Sequence, residues 1–101
     1  MDKKVMTLLE KTIEIRTMIS SDLAFRNNAN TFFDEVNNIP FEKIYIDFSG
    51  IKSISRSFAH EYSIRKKNSK KLINEINMPE NIEKMFRIVN SINDIKEIDY
   101  Y

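Results

Sequence analysis

KIYIDFSGIKSISRSFAHEY, residues Lys43 to Tyr62, decides how this chain is read. It opens in strict alternation. Ile44, Ile46 and Phe48 point one way and Tyr45 and Asp47 the other, the period of a β-strand. Gly50 follows, and it is the only glycine in the chain. Glycine tolerates positive φ, so a single one placed just after a strand marks a forced turn. Ile51 and Ile54 then bracket a polar connection. Ser55-Arg56-Ser57 offers hydroxyls that can cap the free N–H groups of a helix start. Phe58, Ala59 and Tyr62 fall at helical spacing. Strand, tight turn, serine-rich helix start and amphipathic helix make half of a βαβ unit.

The same grammar extends both ways. Upstream, Thr12 to Ile19 reads as a strand, with Ile13 and Ile15 alternating with Glu14 and Arg16. Val5–Leu9 is an apolar run too short to classify, an edge strand at most. Ser20-Ser21-Asp22 reads as a helix N-terminus, because a hydroxyl can cap and Asp22 suits the positive end of the dipole. Phe25, Ala29, Phe32, Phe33 and Val36 then form an apolar helical stripe that Asn37-Asn38 and Pro40 end. Downstream, the second helix runs to about Lys67, with cations at its C-terminus. Leu72 to Ile76 is an imperfect strand, suited to an edge. Asn77-Met78-Pro79-Glu80 starts another helix, with a stripe of Ile82, Met85, Phe86, Val89 and Ile92. The tail from Ile95 to Tyr101 reads either as a last strand or as a docked end. Strand and helix alternate three times, which predicts a small α/β domain with a mainly parallel or mixed sheet of about four strands and three to four helices.

A chain of 101 residues fits one domain over residues 1–101. It is 42% apolar, with seven phenylalanines and four tyrosines, enough for one compact core. Its small size and edge strand are compatible with a homodimer. Sixteen basic and fifteen acidic residues leave a net charge of +1. That balance argues against a dedicated nucleic-acid binder. No cysteine and one histidine exclude a disulfide framework and a thiolate or His-rich metal site. No apolar run approaches the about 18–20 residues that span a bilayer. The N-terminus lacks a signal-peptide pattern. The expectation is a soluble cytoplasmic protein with neither metal nor cofactor.

No GxGxxG, Walker A, GxSxG, HExxH or EF-hand pattern is present. Ser57 and His60 stand at i, i+3 and can touch on a helix. A hydrolase would also need an oxyanion hole and an orienting carboxylate. Arg65 to Lys71, RKKNSKK, is the one basic run, without interleaved aromatics to stack bases. Asp47 sits near the carboxyl end of its strand, where open α/β sheets place their sites, or it stabilises the turn. Ser57 reads as a cap or as a switch. A phosphate there would face free N–H groups and the positive dipole end.

The segment IDFSGIKSISRSFAHEY resembles the STAS-like domains of bacterial and archaeal proteins, a group known as a domain of unknown function. Their pattern is a strand ending in DF-x-G-[VI], a short link, and S-F-A-x-E opening a helix. Asp47, Phe48, Gly50, Ile51, Ser57, Phe58, Ala59 and Glu61 match it, and the likeness extends from about Thr12 to Ile92. Arg26 in the upstream helix and Asn81 to Met85 in the downstream one are looser parallels. More distantly the segment is similar to the STAS domains of anti-sigma factor antagonists, whose phosphorylated serine falls on Ser57. Ser55 stands where that family has an Asp, Phe58 where it has a Gly, and His60 where the STAS-like group commonly has an Asp. The resemblance implies a non-enzymatic regulatory module that binds another protein, often an ATPase of the histidine-kinase type. The partner surface would comprise Asp47, Ser49, Gly50, Ser55, Arg56, Ser57, His60 and Glu61. The alternatives are a nucleic-acid-associated accessory protein, using Arg65 to Lys71, and an inhibitor encoded by a mobile element. An enzyme built on Asp47, Ser57 and His60 is a third reading.

Overall fold

The computed structural model describes residues 9–100, with side chains for residues 9–91. Of the Val5–Leu9 run, only Leu9 lies within the described residues, and the side chain of Ile92 lies outside them. In chain order the elements are β1 (Glu10–Glu14), α1 (Ile15–Met18), β2 (Asp22–Leu23), α2 (Arg26–Asn38), β3 (Lys43–Asp47), β4 (Ser53–Ile54), α3 (Arg56–Asn68), β5 (Leu72–Ile76) and α4 (Glu80–Tyr100). The main sheet has the order β1-β3-β5, all parallel, and β2 pairs with β4 in a second, two-stranded parallel sheet. The predicted small α/β class is the fold observed.

A strand order that advances in one direction through right-handed crossovers puts its helices on one face. The burial pattern agrees. Ile13, Ile44, Ile46 and Phe48 are buried, whereas Glu10, Thr12, Glu14, Leu72 and Asn74 of the opposite face are exposed. Against the buried face pack Ala29, Phe32, Phe33 and Val36 of α2, Phe58, Ala59 and Tyr62 of α3, and Ile82, Phe86 and Val89 of α4. Tyr62 is the hub of this core. Its ring meets Phe33 edge-on at 5.0 Å and Phe48 at 5.9 Å, and lies 5.1 Å from Phe86. Edge-on contacts suit the ring quadrupole and add to burial.

Four sequence readings need correction. The first strand does not run from Thr12 to Ile19. It ends at Glu14, and Ile15–Met18 forms one helical turn whose Ile15 is still fully buried. Alternation survived in sequence because a buried residue is needed there in either conformation. Ser20-Ser21-Asp22 does not start a helix. The Ser20 hydroxyl accepts from the Asp22 amide at 2.8 Å, a local turn, and the chain then continues as β2. That strand exists only because Ser53–Ile54 lies beside it. The helix begins at Arg26 behind Phe25, with no side-chain cap, and Phe25 is 71% exposed instead of joining the stripe. The tail, finally, continues α4 as helix to Tyr100.

Candidate functional site

The carboxyl edge of the main sheet gathers most of the residues singled out above. Asp47 closes β3, and one of its oxygens, Oδ1, accepts three hydrogen bonds. The donors are the Ser49 amide at 2.9 Å, the Ser49 hydroxyl at 2.6 Å and the Asn77 side-chain amide at 3.1 Å. The Ser49 hydroxyl chiefly, then the Ser49 amide, then Asn77, hold the carboxyl below the usual carboxylate range, and the nearby positive charge of Arg16 adds to this. Asp47 therefore fastens the loop after β3 to the loop after β5. Asn77 takes φ 56°, a left-handed conformation that Asn tolerates better than most residues.

Gly50 completes this clamp. Its φ is 79°, as the forced turn requires. A Cβ at this position would stand 2.9 Å from Nη1 and 3.1 Å from Cδ of Arg16, so the Arg16 side chain lies directly over the glycine. Ser49 and Gly50 are exposed.

The start of α3 resolves the roles of its two serines. Ser55 is the N-cap: its hydroxyl accepts from the Phe58 amide at 3.0 Å and donates to the Ala24 carbonyl at 2.7 Å. Its single proton is thereby engaged. The Ser57 hydroxyl, 3.3 Å away, can only donate to Ser55 and leaves its lone pairs without a donor among the described residues. Ser57 is half-buried, not freely exposed. The Ser55–Ala24 bond ties the start of α3 to that of α2. Phe25 and Arg26 of one, and Arg56 and Ser57 of the other, therefore share a rim. His60 and Glu61 follow in the next turn, half-buried. No hydrogen bond joins Ser57 to His60 among the described residues, and no group of His, Asp and Glu among them is arranged to hold a metal ion.

The basic run is largely occupied in holding the fold together. Arg65 donates to the Asn30 side chain at 3.0 Å and to Asp34 at 2.8 Å, which joins α3 to α2. Lys66 pairs with Glu75 at 2.9 Å. Lys71 donates to the carbonyls of Ile39 and Phe41, closing the loop before β3. Lys67 and Lys70 remain exposed. Glu75 also accepts from the fully buried Tyr62 hydroxyl at 2.8 Å. Burial first, then the charge of Glu75 and its hydrogen bond, push the Tyr62 phenol well above the usual tyrosine range.

Sequence reasoning missed three contributors. Phe25 fits the apolar stripe by spacing, and nothing in the spacing marks it as surface. Arg16 lay inside a segment read as strand. Asn77 opens the segment expected to start a helix, and an Asn next to a strand end is also a signal for a left-handed backbone. No helix among the described residues is long and apolar enough to cross a membrane. Compared with family models, with curated proteins and with solved structures, the chain matches none.

Proposed function

We propose that this chain is a non-enzymatic, STAS-like regulatory module that binds a protein partner, an ATPase of the kinase type, through the rim around Ser57. One observation carries the reading. Ser55 alone supplies the cap of α3, so the Ser57 hydroxyl beside it has no acceptor role in the fold. A group at a helix start that the fold does not require is free to serve recognition. Phe25, 71% exposed on the same rim, supports this, because a rigid aromatic with little entropy to lose is a favoured anchor in interfaces. Phosphate on Ser57 would meet free N–H groups and add up to about two negative charges beside Arg56 and Arg26, enough to cancel their positive charge. The module acts in the cytoplasm, where such ATPases reside.

The test is affinity capture of a purified candidate ATPase by wild type, Phe25→Ala, Ser57→Ala and Ser57→Asp, each first shown to be folded by circular dichroism. Phe25→Ala is expected to weaken capture about tenfold or more. Ser57→Asp is expected to change it in a direction that Ser57→Ala does not. Equal capture by all four proteins refutes the rim as the interface.

A further inference from the structure

A second surface lies at the opposite side of the sheet, on β5. The Leu72 amide donates to Glu42, and Ile76 accepts from the Phe48 amide, both at 2.9 Å. In a parallel ladder the backbone groups of successive residues face alternate neighbours. Leu72, Asn74 and Ile76 are therefore committed to β3. Ile73 and Glu75 turn their N–H and C=O groups outward, where no described strand pairs with them. The two edges of the sheet differ in how they treat such groups. β1 carries Glu10, Lys11 and Glu14 along its length, and charges of this kind discourage strand addition. The one charged residue of β5, Glu75, is already held by Lys66 and Tyr62, and its side chain is only 18% exposed.

Each flank of this edge offers apolar side chains among polar ones. On the open face of the sheet, Leu72 is 62% exposed and Ile76 is half-buried. On the helical face, a cleft of about 730 Å³ opens between α3 and α4, with Tyr62, Lys66, Glu75, Met78, Glu83 and Phe86 in its walls. We propose that β5 and this cleft form a peptide-docking groove. Its occupant is an extended segment of a partner protein that adds a strand to β5. The segment exchanges hydrogen bonds with Ile73 and Glu75. Its side chains alternate between the two faces, so one apolar set covers Leu72 and Ile76 while the intervening residue enters the cleft against Met78 and Phe86. A bare segment suits this geometry better than a second copy of the chain. Glu83 and Phe86 of α4 line the same cleft as Glu75 of the edge strand, and a second copy would bring its own helices into that space.

The experiment selects a phage-displayed random-peptide library on the full chain. A synthetic peptide of the enriched sequence is then titrated while amide hydrogen exchange is followed by NMR. Enriched peptides are expected to alternate apolar residues. Saturation is expected to slow exchange at Ile73 and Glu75 about tenfold or more, with Leu72, Asn74 and Ile76 already protected by the ladder. Leu72→Lys, at an exposed position that spares the fold, is expected to weaken the peptide about tenfold, the loss of one buried leucine contact. Failure to enrich any peptide overturns the proposal. So does binding that leaves the Ile73 and Glu75 amides unchanged, or protection of both amides in the dilute free protein. Protection that rises with protein concentration alone would identify a second copy as the occupant and overturn it equally.

Discussion

Replacing Ser55 by Ala and, separately, Ser57 by Ala distinguishes a structural hydroxyl from a spare one. Ser55→Ala removes the acceptor for the Phe58 amide, a capping loss of about 1 kcal/mol within a range of roughly 0.5–2 kcal/mol. It also removes the donor to the Ala24 carbonyl. Ala24 is exposed, so water replaces most of that bond and the further loss is at the low end of about 0.5–1.5 kcal/mol. Together they give about 1–2 kcal/mol, or a fall in Tm of about 5–10 °C for a domain of this size. Ser57→Ala removes a hydroxyl that accepts nothing, and its cost is within about 0.5 kcal/mol. Urea titrations followed by far-ultraviolet circular dichroism, fitted with a common m-value, measure both. Ser55→Asp keeps an acceptor for the Phe58 amide but offers no donor to the Ala24 carbonyl, so it recovers at most the capping part of the loss. If Ser57→Ala costs as much as Ser55→Ala, the Ser57 hydroxyl is part of the fold and the division of roles is wrong.

Three further outcomes follow from the same geometry. Gly50→Ala forces an L-residue to φ 79°, at a cost of about 1–2 kcal/mol by denaturant titration. The Arg16 side chain above it is exposed and can move aside, so adding Arg16→Ala recovers only a fraction of the loss; complete recovery would mean that crowding, not backbone strain, sets the cost. Tyr62 keeps its proton in the folded state to higher pH than the unfolded chain does, so its contribution is complete below about pH 10 and declines above it, by up to about 1.4 kcal/mol per pH unit. Thermal melts between pH 9 and about 11 should show this decline flattened in Tyr62→Phe. Asp47 has the reverse sign: its lowered folded pKa stabilises the protein above the unfolded value of about 3.9, and this is lost as pH falls through the carboxylate range. Asp47→Asn should therefore flatten the acid limb of the stability profile, read from Tm between pH 5 and about 2.

Local chemistry was enough to place β3, the turn at Gly50, a serine-capped start to α3 and the buried stripe Phe58, Ala59 and Tyr62. Each of these depends on a period, a φ preference or a hydrogen bond spanning three or four residues. The parallel sense of the main sheet also followed from the alternation of elements, whereas its spatial order β1-β3-β5 came from the tertiary structure. Features that depend on a distant partner were decided by the tertiary structure. The β2–β4 pair joins residues about thirty positions apart and leaves no mark in two-residue strands. Phe25 fits a helical stripe by spacing, yet the helix starts one residue later and leaves its ring on the rim. Arg65, Lys66 and Lys71 read as a free basic run until Asp34, Glu75 and the carbonyls of Ile39 and Phe41 are brought beside them. Sequence encodes the short-range preferences of each segment, but the position of a charge or a ring relative to solvent is set by whatever the rest of the chain packs against it.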